Sequence, residues 1–347
     1  MSVFPSKLFW IGEENKHPVM KNRERDLVMD SAIHYYASRT PKLKYYPGRL
    51  FLDSGAFTAA MRNLELDKEK VAEIQERLSP DLVIPLDYPI KPGMSIEAMR
   101  SSWEKTRNNI LYWLENTSLS NKTVPTLHSW DRNSLISNIR WLSKTCDSDF
   151  LAIGVVVTPE FTHFNGFFKD RQPSIEFIRM LSIAIEEVKR RTDFRVHVMG
   201  LGSSPLMLHI AYWLGVDSTD SSGYRRKAAF GKIVLPGKGE RYIGNRYGSF
   251  GRRYLTKREL EILSQCTCLV CLTDQSKLWY DWKARAIHNE HVMKAEANTA
   301  HELLTRGVDV YEKYLDKIFS NSKFGLDYLW RYAKLIRKYP KIETIMR

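Results

Sequence analysis

The sequence predicts an α/β protein built as a (β/α)8 barrel, and three observations carry that expectation. Short β-type runs alternate with helical stretches through roughly Asp220, with at least six strand candidates, and such alternation builds a parallel sheet covered by helices. The stretch Arg195–Lys227, RVHVMGLGSSPLMLHIAYWLGVDSTDSSGYRRK, is a complete strand-turn-helix-strand unit,. Polar residues end strand after strand, at Asp53, Asp87, His128 and Asp220. A barrel gathers such ends around one mouth, whereas a doubly wound sheet, the other arrangement this pattern allows, spreads them out.

The elements follow in order. Lys7–Ile11 reads as the first strand, and Asp26–Ala37 has a helical look before Pro41 and Pro47 break the chain. Arg49–Asp53 is a strand ending in Asp-Ser-Gly-Ala-Phe, and Leu66–Leu78 is a charged amphipathic helix,. Asp81–Asp87 is a strand with an awkward Pro85, a residue that cannot donate to a ladder,. Ile96–Glu115 and Asn133–Lys144 read as helices around a strand at Val124–His128. Phe150–Val157 is continuously apolar, as in a strand buried on both faces,. After the helix Ile175–Arg191 comes the strand Val196–Met199. Ser203 or Ser204 then caps a helix, Leu206–Leu214, that carries Pro205 in its first turn and stops at Gly215,. The next strand begins at Val216 and delivers Asp220 at its end.

Beyond Asp220 the texture changes. Gly223–Arg258 is rich in Gly, Arg, Lys and Tyr, with Glu240 its only acidic residue. Leu278–Arg306 reads as a long helix, and Val308–Tyr339 as aromatic and basic helical segments. Trp330, Tyr332 and Tyr339 lie among Arg331, Lys334, Arg337 and Lys338, a pattern shared by a nucleic-acid-facing surface and by amphipathic packing helices. The expected organisation is a catalytic barrel at 1–258, a metal-binding element at 259–295 and C-terminal helices packed on the barrel at 296–347.

The 347 residues are 43% hydrophobic, enough to fill a core, and carry a net charge of +13,. That excess points to a polyanionic partner: RNA, DNA or an anionic membrane surface. No apolar run approaches the length of a membrane span, and the N-terminus lacks a signal-peptide pattern,. Three of the four cysteines are clustered, so this is no secreted disulfide framework, and a cytoplasmic setting is expected,.

Two constellations carry chemistry. Cys266-x-Cys268-x-x-Cys271 is a tight thiolate knuckle, and zinc needs a fourth ligand, for which His288 and His291 on the following helix compete,. Three cysteines and one histidine leave no open position, so the metal would be structural. The second constellation is a pair of carboxylates, Asp53 and Asp220, which can divide nucleophile and acid/base roles on a glycosidic bond,. A strand-end Asp taken alone caps a loop, and Asp53 in Asp-Ser-Gly also suits an Asx turn. Asp217, three residues before Asp220, falls on the other face of an extended strand. The basic run Arg225, Arg226 and Lys227 directly after Asp220 suits a phosphate backbone,.

These residues together resemble a family, the tRNA-guanine transglycosylases. Asp53-Ser54-Gly55-Ala56-Phe57 is similar to the family's Asp-Ser-Gly-Gly-Phe/Tyr motif. In the family's order there follow Leu82–Asp87, Thr126-Leu127-His128 at its Val-Gln-Gly strand, and Ala152–Val156 at its Gly-Gly-Leu-Ala strand. Met199–Gly202 then resembles Met-Gly-Val-Gly, Gly215–Asp220 resembles Gly-Val-Asp-x-x-Asp, and the knuckle is joined by Ala286-Ile287-His288-Asn289. The resemblance spans about Phe51 to Asn289.

It implies a barrel with a structural zinc held by Cys266, Cys268, Cys271 and His288. Asp220 would attack the sugar C1′ and expel guanine, and Asp53 would act as general acid/base. Phe57 and Met199 would sandwich the base, Asp87 and His128 would read its edge, and the backbone at Gly154, Val155 and Gly200 would line its pocket. The departures are Ala56 for a glycine, Thr58 for the usual glutamine, His128 for the base-reading glutamine and Val155 for a glycine. The DSGAF form and the length resemble the phage and bacterial DNA-guanine transglycosylases, which insert 7-deazaguanines such as 7-cyano-7-deazaguanine into DNA. The expectation is therefore base exchange in DNA, with tRNA as the alternative nucleic acid and a non-catalytic nucleic-acid-binding barrel as the alternative of another class.

Overall fold

A computed structural model describes residues 7–21, 24–91, 93–156, 171–202, 204–243, 254–320 and 326–338. The chain opens with β1 (Leu8–Gly12), buried at every position. The expected helix at Asp26–Ala37 is instead strand β2 (Glu24–Ser31) followed by a 3-10 turn at Ala32–Tyr35. The reason is long-range. β2 pairs in parallel with β3 (Tyr46–Asp53), from Glu24 against Tyr46 to Ser31 against Asp53, and that ladder overrides local helical periodicity,. Arg25 is buried in this strand and is ion-paired to Glu13.

The Asp-Ser-Gly-Ala-Phe segment turns at Gly55, which sits at φ 89°, into the short helix α1 (Ala56–Met61). Helix α2 (Lys68–Leu78) is capped by Asp67, which accepts from the Lys70 N–H at 2.7 Å. The strand expected at Asp81–Asp87 shrinks to β4 (Leu82–Val83), since Pro85 has no N–H to extend the ladder,. There follow α3 (Ile96–Asn116), β5 (Thr126–Ser129), α4 (Arg132–Thr145) with a capping box at Asp131, β6 (Phe150–Val156) and α5 (Arg171–Arg191). β7 (Arg195–Val198) leads to α6 (Pro205–Trp213), buried at every position. Ser204 Oγ accepts from the Met207 N–H at 3.4 Å, while Ser203 lies outside the described residues. Gly215 at φ 100° stops the helix as read, and β8 (Ser218–Ser221) carries Asp220.

The cationic stretch after Asp220 forms α7 (Gly223–Ala229) and the hairpin β9 (Lys232–Leu235) with β10 (Gly239–Tyr242); residues 244–253 of it lie outside the described residues. Helices α8 (Lys257–Ser264), α9 (Leu269–Asp274), α10 (Trp282–Arg306), α11 (Val308–Ser320) and α12 (Asp327–Lys338) complete the chain. Trp330 is buried, stacked on Phe319 at 5.5 Å and edge-on to Trp213 at 5.1 Å, so at this residue the packing alternative holds. Tyr339 lies outside the described residues.

The main sheet has the strand order β4-β3-β2-β1-β8-β7-β6-β5, which is the cyclic order of a (β/α)8 barrel,. The two strands at its ends meet where the Val124 N–H donates to Val83 O at 2.8 Å, beside a parallel bridge between Val83 and Thr123. The expected fold class is therefore the observed one. The chain divides into two compact units, one of Glu13–Met199, Leu214–Ser218 and Leu335–Arg347, the other of Met1–Gly12, Gly200–Trp213 and Thr219–Lys334.

In the first unit Leu52, Val71, Ile74, Val83, Leu86 and Trp113 share one core. Gln75 crosses it, accepting from Trp113 Nε1 at 2.7 Å and donating to Ile84 O at 2.9 Å, so its buried amide is satisfied,. In the second unit Ile233, Leu235, Leu263, Cys268, Val270 and Leu278 form another core. Arg285, also buried there, donates to the carbonyls of Ala228 and Leu278 at 2.8 and 2.9 Å. Each large apolar side chain so buried contributes about 1.5–3 kcal/mol.

Candidate active-site residues and metal centre

In the unit Glu13–Met199, Asp53 ends β3, half-buried. Its Oδ2 accepts the Gly55 N–H at 2.9 Å and the Ser31 hydroxyl at 3.3 Å. The first contact is the Asx turn that the Asp-Ser-Gly order allowed. Gly55 is required there for space as well as for φ: a Cβ would lie 2.5 Å from Ile33 Cβ and 2.8 Å from Ser31 Oγ,. Phe57, on α1, is 63% exposed.

Asp87 and His128 are buried and joined, His128 Nε2 to Asp87 Oδ2 at 2.9 Å. Amides from two helices hold the backbone beside them: Asn109 Nδ2 donates to Leu86 O at 2.7 Å and Asn138 Nδ2 to His128 O at 2.8 Å. The β5–β6 ladder shifts register here, pairing Leu127 with Ile153 and His128 with Val155, so Gly154 bulges between them,. A Cβ on Gly154 would stand 3.1 Å from His128 Cε1 and 3.2 Å from Thr126 Cγ2, so the glycine makes room for the imidazole. His128 Nδ1, fully buried, has no hydrogen-bond partner among the described residues. Met199 is half-buried after β7, its N–H reaching Ile153 O at 3.4 Å. Asp217 is committed elsewhere: its Oδ2 accepts from Lys189 Nζ at 2.8 Å and the Val196 N–H at 2.9 Å.

In the other unit Asp220 is gripped by the glycine turn. The Gly200 N–H donates to Asp220 Oδ1 at 2.6 Å and the Gly202 N–H to Asp220 O at 3.2 Å. Gly200 has φ 70°, and a Cβ on Gly202 would fall 2.4 Å from Phe9 Cε2. Gly12, for which the sequence carries no motif, is equally constrained: a Cβ there would lie 2.7 Å from Ser222 N. The three basic residues sit on α7 directly afterwards. Arg226 is exposed and Arg225 half-buried, while Lys227 Nζ is paired with Glu240 Oε2 at 2.7 Å. Glu240, the lone acid of the stretch, also takes Lys232 Nζ at 2.5 Å; burial opposes its charge, but the two lysines outweigh it and hold the carboxyl below its usual range.

The knuckle and His288 come together as one cluster whose ligand atoms all lie within 4.8 Å of one another. Nδ1 of His288 stands 3.4, 3.7 and 3.5 Å from the sulfurs of Cys266, Cys268 and Cys271. A tetrahedral zinc with ordinary zinc–sulfur and zinc–nitrogen bonds requires nitrogen–sulfur separations of about 3.5 Å, so the donor set fits a structural zinc site. His291 is not in the cluster. Hydrogen bonding to Cys268 and Cys271 pushes the Cys266 thiol far down, and Cys271 is pushed far up by the same kind of neighbours, because thiols this close do not ionise independently,. His288 Nε2 lies 3.0 Å from Val234 O. Asn289, next along α10, accepts the Val234 N–H at 2.7 Å and donates to Tyr224 O at 3.0 Å. Cys146 is buried, and burial pushes its thiol up to about 12, an inert core cysteine,.

The family model described as TGT, queuine tRNA-ribosyltransferase, matches residues 53–322. No curated protein matches the chain.

Proposed function

This chain belongs to the queuine tRNA-ribosyltransferase family, whose members are base-exchanging pentosyltransferases, and we propose that it replaces guanine in DNA by a 7-deazaguanine base. The observation that carries the mechanism is the hold on Asp220. With Oδ1 accepting the Gly200 N–H at 2.6 Å, the carboxylate is oriented at a strand end, as a nucleophile must be,. Asp220 attacks C1′ of the target nucleotide. The C1′–N9 bond breaks, its electron pair passes to the guanine ring, and an ester joins C1′ to the aspartate.

Asp53 gives the departing ring a proton and later takes one from the incoming base, whose nitrogen displaces the aspartate and regenerates it. Phe57 and Met199 bracket the base, and Asp87 with His128 reads its edge, over the backbone at Gly154, Val155 and Gly200. Support for that reading comes from the Asp87–His128 pair, whose 2.9 Å contact holds two polar side chains together. A target in duplex DNA leaves the stack to reach these groups. Zinc on Cys266, Cys268, Cys271 and His288 supplies a structural crosslink and no step.

The choice of DNA rests on the DSGAF form of the motif. The test supplies labelled 7-cyano-7-deazaguanine with DNA or with tRNA. Label entering DNA alone supports the proposal, label entering tRNA alone assigns the chemistry to tRNA, and label entering neither rejects this base as the substrate.

A further inference from the structure

We propose that Ser31 and His34, at the end of β2, are positioning residues for Asp53: Ser31 holds its Oδ2, and the His34–Asp30 couple sets the charge against which it exchanges protons. The inference rests on the reading of Asp53 as acid/base. Both residues precede the span 53–322 matched by the family model.

The geometry begins with the ladder, which places Ser31 directly beside Asp53 and its hydroxyl 3.3 Å from Oδ2. The turn Ala32–Tyr35 then packs so closely on the Asp-Ser-Gly loop that no residue larger than glycine fits at Gly55. On the other side of Ser31 stands Asp30, 3% exposed, a carboxylate with four donors. It receives the Ser31 N–H at 2.7 Å, Tyr35 OH at 2.7 Å, Tyr45 OH at 2.6 Å and His34 Nδ1 at 2.5 Å. Burial and the Asp30 charge push both phenols far up, so they remain neutral donors and do not discharge Asp30. The His34 side chain, 29% exposed, is the member of the group that reaches water.

The charged groups facing His34 are Asp30 on its own segment, Glu14 from the chain after β1, and Asp53 at the end of β3. Burial works against the imidazolium, but the hydrogen bond and charge of Asp30, with Glu14 and Asp53, outweigh it and hold His34 above the usual histidine range. Coupling of this kind is reciprocal. A cationic His34 favours the Asp53 carboxylate, and a protonated Asp53 loosens the proton on His34. A group that must accept and return a proton in one catalytic cycle gains from a neighbour whose charge follows its own.

The coupling is read without activity by following the His34 imidazole through a pH titration by NMR in the full-length enzyme. In Asp53→Asn its midpoint falls by about half a unit or more; an unchanged midpoint overturns the proposal. In the exchange assay, His34→Gln moves the basic limb of the kcat/KM profile for the nucleic acid to higher pH, because Asp53 must be protonated to release guanine and the loss of a nearby positive charge, with Asp30 left less compensated, favours its protonated form. A profile superimposable on the parent overturns the proposal while leaving the role of Asp53 intact. Ser31→Ala lowers kcat roughly 10-fold and Ser31→Thr, which keeps the hydroxyl, restores it; equal loss in both rejects the hydroxyl as the agent. Full exchange by Asp53→Asn sinks the underlying reading of Asp53, and with it this inference.

Discussion

His288 and Val234 are joined side chain to backbone, the imidazole Nε2 donating to the Val234 carbonyl at 3.0 Å. With that nitrogen protonated, the neutral ring can offer only Nδ1 as a lone pair, and Nδ1 is the atom that faces the three cysteines,. The tautomer follows from the hydrogen-bond network. Asn289 binds the N–H of the same Val234, so α10 fixes β9 and the metal ligand together.

The first prediction concerns that lock. Purified protein carries one zinc, and His288→Ala releases it, whereas His291→Ala retains it, as metal analysis after dialysis will show. Asn289→Ala keeps all four ligands but lets β9 shift, and weakens zinc binding roughly 10-fold or more. Full zinc retention by His288→Ala removes this residue from the ligand set.

The second concerns Asp220. Asp220→Ala forms no covalent complex with substrate and shows no exchange, because the ester oxygen is gone. Asp53→Ala retains the nucleophile but cannot protonate the departing guanine, so the complex does not accumulate from a normal substrate. A covalent complex trapped on a denaturing gel with Asp220→Ala shows that another residue attacks.

The third concerns α7. Arg225→Ala with Arg226→Ala weakens DNA binding for every sequence and lowers the slope of log K against log salt by about 1.5–2, roughly 0.9 for each phosphate that is no longer neutralised. Lys227→Ala changes the slope less, since Lys227 is paired with Glu240 at 2.7 Å. An unchanged slope in the double variant excludes α7 from the phosphate-binding surface.

The fourth concerns acid stability. Glu259 accepts from Arg241 Nη2 at 2.6 Å and Nε at 3.0 Å, and from the Thr256 N–H at 3.0 Å. Burial opposes its charge, but these donors prevail and hold the carboxyl at about 2 against an ordinary 4.5. A depressed folded-state pKa stabilises fully above the unfolded value and is lost as pH falls through the folded one. Glu259 therefore contributes about 3 kcal/mol above pH 4.5 that disappears by about pH 2,. Chemical denaturation between these pH values should show a shallower loss in Glu259→Gln than in the parent; identical slopes would remove Glu259 from the acid response.

Much of this was legible in the sequence, for a physical reason. Helices with an amphipathic period, strand runs such as Phe150–Val156, the stop at Gly215 and the knuckle Cys266–Cys271 are written in residues a few positions apart, and local steric and hydrophobic rules read them,. Alternating strands and helices with polar strand ends were enough for the (β/α)8 class, and the order of short motifs was enough for the family.

What the sequence did not determine are relations between distant segments. Glu24–Ser31 is a strand because β3 offers it a ladder, and β4 is short because Pro85 removes a donor where the ladder would continue. Spacing left His288 and His291 equal on one helix, while the fold brings only His288 to the thiols. Lys227 read as one of three like cations until the β9–β10 hairpin put Glu240 against it. Ser31 carried no motif at all, and its place beside Asp53 is set by a ladder between segments about twenty residues apart in the chain,. Local sequence specifies which conformations are cheap, but partners brought together by folding decide which of them is adopted and what each side chain touches.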